Sequence, residues 1–85
     1  MATITIQVLK TDGTKETKQI SKEGTLEALQ AEVGGYIEVI HHVQGIPKGK
    51  ILIANEEGQI KQLSANPFCP GLVGNIVIMN SHDLK

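Results

Sequence analysis

The side chains in this sequence that could do chemistry are few. They are His41, His42 and His82, the single cysteine Cys69, the acidic pair Glu56-Glu57, the lysines Lys48 and Lys50, and Tyr36 with Glu38. Histidine and cysteine hold zinc when several converge at short, fixed spacings. His41 and His42 are adjacent, and neighbours on a strand project to opposite faces, so the two do not share one ion. Their spacing to Cys69 and His82 matches no zinc pattern, and no metal or cofactor is expected. A thiol beside a histidine would form a nucleophile–base pair. Cys69 instead sits between Phe68 and Pro70, away from the cations or helix N-terminus that would lower its pKa, so a packed thiol is expected.

Glu56-Glu57 precede Gly58 in a turn, where both carboxylates are wet and neither is tuned for acid–base work. The run Gly45-Ile46-Pro47-Lys48-Gly49-Lys50-Ile51 places lysines among glycines as a phosphate loop does. Its glycine spacing is one residue short, no Ser or Thr follows Lys50, and a strand stands where a helix is needed. Lys48 and Lys50 remain as point charges able to meet a phosphate. Tyr36 follows two glycines, with Glu38 two residues on along the same strand face. Tyrosine is enriched at binding hot spots; the competing reading packs its ring across a helix–sheet junction. The candidate binding residues are thus Tyr36, Glu38, Lys48 and Lys50, with no catalytic set.

These residues must be positioned by strands. Ile4, Ile6 and Val8 alternate with Thr3, Thr5 and Gln7, the period of a half-buried strand. Asp12-Gly13 suits a hairpin turn, and the chain returns through the polar stretch Thr14–Ile20, whose Lys15 and Lys18 suit a sheet edge. Leu26, Leu29 and Val33 then mark one face of a short helix, with Thr25 as its expected N-cap and Gly34 closing it. Tyr36–Val43 reads as a strand with Ile37 and Val39 on one face and Tyr36 and Ile40 on the other. Lys50–Ala54 is apolar on both faces and therefore interior, Gln59–Leu63 is a short return strand, and Asn75–Met79 is the last strand. Asn66–Gly71, with two prolines, is a rigid loop.

The expectation is a single small α+β domain over residues 1–80, with a loose tail at 81–85. It has an N-terminal hairpin, one short helix, then three to four strands in a mixed or antiparallel sheet. That element order is shared with the β-grasp arrangement of ubiquitin-like domains, in which one helix crosses a mixed sheet.

Composition narrows the function. The net charge is −1, all eight basic residues are lysine, and Tyr36 and Phe68 are the only aromatics. Nucleic-acid binders show a basic stripe with stacking aromatics and bidentate arginines, so nucleic acid is not the expected partner. No apolar run is long enough to cross a membrane. The N-terminus lacks the charged and apolar regions of a signal peptide, and one cysteine forms no internal disulfide, so a cytoplasmic location is expected.

Leu29-Gln30, Val33-Gly34-Gly35-Tyr36-Ile37-Glu38-Val39, Asn55-Glu56-Glu57-Gly58, Asn66 and Val73-Gly74-Asn75-Ile76-Val77 occur in an order and spacing that carry a resemblance. Together they resemble a family of short uncharacterised proteins of bacteriophages, plasmids and other mobile elements, described only as a domain of unknown function. The similarity covers about the last two-thirds of the chain, and Val33–Val39 is its most specific part. The resemblance implies a bacterial or phage setting and an accessory role against host defences; it brings no catalytic residues.

The expected function is a small non-enzymatic binding protein that engages a host protein through a sheet face or edge. Open edges and a small core also favour self-association, as a homodimer or a higher oligomer. The alternative is an oligomer that sequesters a nucleotide-like signal at a subunit interface, with Tyr36 stacking and Lys48 or Lys50 meeting phosphate. A Cys69-dependent enzyme ranks behind both.

Overall fold

The structure is a computed structural model that describes residues 2–41 and 46–84. Five strands, β1 (Thr3–Leu9), β2 (Lys15–Ser21), β3 (Ile37–Ile40), β4 (Lys50–Asn55) and β5 (Ile76–Asn80), form one sheet in the order β2-β1-β5-β4-β3. Every neighbouring pair is antiparallel. One helix, α1 (Thr25–Val33), covers one face.

The hairpin β1–β2 forms where the alternation predicts it. Its turn is closed by the Gly13 N–H donating to the Lys10 carbonyl at 3.1 Å. The Asp12 carboxylate accepts from the Thr14 N–H and hydroxyl at 3.0 and 2.6 Å. Ile4, Ile6 and Val8 face the helix and are buried together with Ile51, Ile53, Val77 and Met79. Leu29 and Val33 complete that cluster. Full burial of a Leu side chain contributes about 1.5–3 kcal/mol, which a nine-residue helix needs because it does not persist alone.

The expected α+β domain of β-grasp type is corrected. The chain is sheet-dominated, with one nine-residue helix as the only α-helix among the described residues. The β-grasp comparison needs a parallel pair, whereas β5 enters between β1 and β4 and runs antiparallel to both. So short a helix covers one face in part, and the opposite face is covered by a loop. There Phe68, Cys69 and Leu72 pack on Leu9, Leu52, Ala54 and Ile76.

Several local expectations also change. Gly24, not Thr25, is the helix N-cap, and the Thr25 hydroxyl donates backward to the Lys22 carbonyl at 2.7 Å. Leu26 is 52% exposed, so the buried stripe reduces to Leu29 and Val33. Residues 59–62 form turns and Leu63 lies in irregular chain, where a strand was expected. The Lys61 N–H donates to Glu57, the Leu63 N–H donates to Gly58, and Gln62 adopts φ 57°, each incompatible with extended pairing. Residues 81–83 form a 3-10 turn, and Leu84 packs on the helix-side core where a loose tail was expected. The strand expected over 36–43 narrows to Ile37–Ile40; His42 and Val43 lie outside the described residues.

Two buried asparagines hold the irregular segments. The Asn55 side-chain amide donates to the Val33 carbonyl at 3.0 Å, and its oxygen accepts from the Glu57 N–H at 2.7 Å. This ties the helix exit to the end of β4. It needs a residue without Cβ at Gly35, where a Cβ would stand 2.9 Å from the Asn55 nitrogen. The Asn66 amide donates to the carbonyls of Leu9 and Gly74 at 2.8 and 2.9 Å, and its oxygen accepts from the Phe68 N–H at 2.9 Å. One side chain thus fixes the loop that delivers the chain into β5.

Asn66→Ala leaves two buried carbonyls and one part-buried N–H without their partner and is expected to cost about 2–3 kcal/mol, read as a lower urea midpoint at unchanged slope. Gly34 ends the helix at φ 81°, its N–H on the Gln30 carbonyl, with open space where a Cβ would stand. Gly34→Val is expected to destabilise by about 2 kcal/mol through backbone strain alone, and Gly34→Asn by less, in the same titration.

Candidate functional site

The site is built on β3, the strand that follows the Gly34-Gly35 turn. The Glu56 N–H donates to the Tyr36 carbonyl at 2.9 Å, and Ile37 stands opposite Asn55. In an antiparallel ladder the two backbone groups of one residue point the same way and alternate along the strand. Tyr36, Glu38 and Ile40 therefore direct their N–H and C=O groups at β4. Ile37 and Val39 direct theirs outward. β3 is an outer strand of the sheet, and among the described residues no hydrogen bond reaches those outward groups. The side chains of Ile37 and Val39 are half-buried against the helix-side core, and Glu38 is exposed on the other face.

The opposite edge is differently made. β2 is seven residues long and mostly polar. Lys18 Nζ lies 3.1 Å from Glu16 and 2.7 Å from Glu32 of the helix, and Lys10 reaches Glu16 at 3.5 Å. These contacts hold the Glu16 carboxyl below its usual range, first through the Lys18 hydrogen bond, and raise the Lys18 ammonium, first through the Glu32 hydrogen bond. Charges fixed along a strand edge discourage further pairing.

The four sequence-designated residues fall in two places. Tyr36 is 67% exposed and borders a shallow groove of about 210 Å³ with Gln30, Gly35, Glu57 and Lys61. Its ring is not packed into a helix–sheet junction. Lys48 and Lys50 line a second groove of about 350 Å³ with His41, Ile46, Pro47 and Ser81. Glu38 lies on β3 between them. Asn55, beside Tyr36, and Lys50 are opposite ends of β4, about 17 Å apart at 3.4 Å per residue. One chain does not bring the tyrosine and the lysines onto one small ligand.

Sequence reasoning missed the outward backbone of Ile37 and Val39, because a free main-chain group has no residue type. It also missed Ile60, placed on a strand by its spacing and found 82% exposed in a turn.

Among the described residues no group of His, Cys, Asp and Glu is placed to hold a metal ion, and no helix is long and apolar enough to cross a membrane. Cys69 is buried among Leu9, Leu52, Ala54 and Ile76. Burial pushes its thiol up from the ordinary value, because an apolar setting disfavours the thiolate. A raised thiol pKa keeps the native proton while the unfolded chain loses its own, so this group's effect on stability is absent below the unfolded pKa and is destabilising as pH rises through and above it. Iodoacetamide is expected to label Cys69 slowly near neutral pH in the native protein and rapidly in urea, followed by mass spectrometry; equal rates would show an open thiol.

No curated protein and no solved structure matches the chain. The family Domain of unknown function (DUF3846) matches residues 4–84, a span that includes all five strands and the helix apart from the first residue of β1. By that match across nearly its whole length, the chain belongs to the DUF3846 family.

Proposed function

We propose that this chain is a small non-enzymatic binding protein that takes an extended segment of a protein partner onto the β3 edge. One observation carries the reading: the N–H and C=O groups of Ile37 and Val39 face outward with no hydrogen bond among the described residues, on the edge that lacks the charge network of β2. Adding a strand to an open edge satisfies such groups and gives affinity through the main chain. Tyr36, exposed where β3 begins, adds an aromatic contact at one end of the added strand. The resemblance to short phage and mobile-element proteins supports a bacterial host factor as the partner and an accessory, counter-defence setting.

Val39→Pro tests the reading. Proline removes one outward N–H and places its ring on the open edge, while the groups that face β4 belong to other residues. The variant is expected to keep a cooperative urea transition and the far-UV spectrum of the parent. A host polypeptide retained from lysate by the immobilised parent is expected to lose at least tenfold in affinity for the variant. If proline disturbs the fold, the chain of 85 residues is short enough for total synthesis with an N-methyl group at Val39. A partner indifferent to both changes, or no retained polypeptide, would count against edge binding.

A further inference from the structure

The β3 edge also carries information about the segment that fits it, an inference that rests on the edge-binding reading above. A strand added antiparallel to β3 forms hydrogen-bonded pairs at Ile37 and Val39, the residues with outward groups. Glu38 then occupies a non-hydrogen-bonded pair, the type in which facing side chains approach most closely, with Cα atoms about 4.5 Å apart. Glu38 is exposed, and among the described residues it forms no ion pair, as holds for Glu23, Glu27 and Glu56, whereas Glu16, Glu32 and Glu57 each have a lysine neighbour. Its neighbour across the ladder in β4 is Ala54, small and buried. The carboxylate is thus open toward whatever lies on its free side.

We infer that the edge selects an extended segment with an apolar–basic–apolar triplet, the basic residue directly opposite Glu38. Opposite charges facing across strands stabilise and like charges destabilise. The flanking positions face Ile37 and Val39, whose side chains belong to the helix-side core, so apolar residues there extend that core outward. The same charge argues against a second copy of β3. An antiparallel self-pairing centred on Glu38 sets two carboxylates face to face. One centred on Val39 sets each Glu38 against Ile40, with no cation for either. The occupant is therefore a segment of another protein that carries a Lys or Arg between two apolar residues.

A display library of random eight-residue peptides, selected on the immobilised full chain, tests this. The parent is expected to enrich Lys or Arg flanked by Val, Ile or Leu. A synthetic peptide of the enriched pattern is expected to bind Glu38→Lys about five- to tenfold more weakly, and its Lys→Glu counterpart to recover binding to that variant. The difference is expected to shrink in 1 M salt. Selected peptides without a basic preference, or with the same preference in Glu38→Lys, overturn the inference while leaving edge binding intact. Peptides indifferent to Val39→Pro overturn edge binding itself, and an empty selection counts against both. A concentration-dependent dimer in sedimentation equilibrium that Val39→Pro disperses would assign the edge to a second copy and overturn the inference.

Discussion

The whole sheet depends on the seating of β5 between β1 and β4. The hairpin β1–β2 pairs within itself, and β3–β4 pairs within itself, but only β5 joins the two halves. Its residues Ile76, Val77 and Met79 are almost completely buried, and they alternate between the helix-side core and the loop-side core. The strand that closes the sheet is the last in the chain, so its pairings span long sequence distances and their loop-closure entropy must be met before they stabilise anything. Asn66 matters for this reason. It bonds Leu9 at the end of β1 and Gly74 just before β5, and so aims the incoming strand at its slot.

That placement decides which edges are open. With β5 in the middle, β2 and β3 become the outer strands. β2 is guarded by Lys10, Glu16 and Lys18, which are linked to the helix through Glu32. β3 has four residues and one charge. A short edge is less prone to indiscriminate pairing than a long one, and a single carboxylate filters what can pair with it. In the proposed reading, affinity from the main chain and selectivity from one charged side chain coexist on a strand that buries little of its own.

Among the described residues the reactive residue types do not converge. Cys69 is spent on packing the proline-bounded loop onto the sheet, with its thiol driven toward the neutral form. His82 is exposed beside Asp83. Tyr36 and the lysine pair occupy opposite ends of one strand pair, too far apart to grip one compact ligand together.

Much of this was legible in the residues alone. The alternation of Ile4, Ile6 and Val8, the Asp12-Gly13 turn, the Gly34 helix exit, the two-faced Lys50–Ala54 strand and the charged β2 edge all follow from local periodicity and backbone preference, which need no distant partner. The mistaken strand at Gln59–Leu63 and the overextended helix face at Leu26 show where local pattern stops, because an apolar residue in register is buried only if something lies opposite it. Asn55 read as a turn residue and Asn66 as part of a rigid loop, and their role as buried clamps appeared only when carbonyls from Val33, Leu9 and Gly74 came within reach. Residue types and spacing determined five of the expected strands and the helix. Strand order was decided only by tertiary structure, because it depends on which nonlocal pairings bury both faces of β5, and strand order together with the β3–β4 register leaves the backbone of Ile37 and Val39 facing outward.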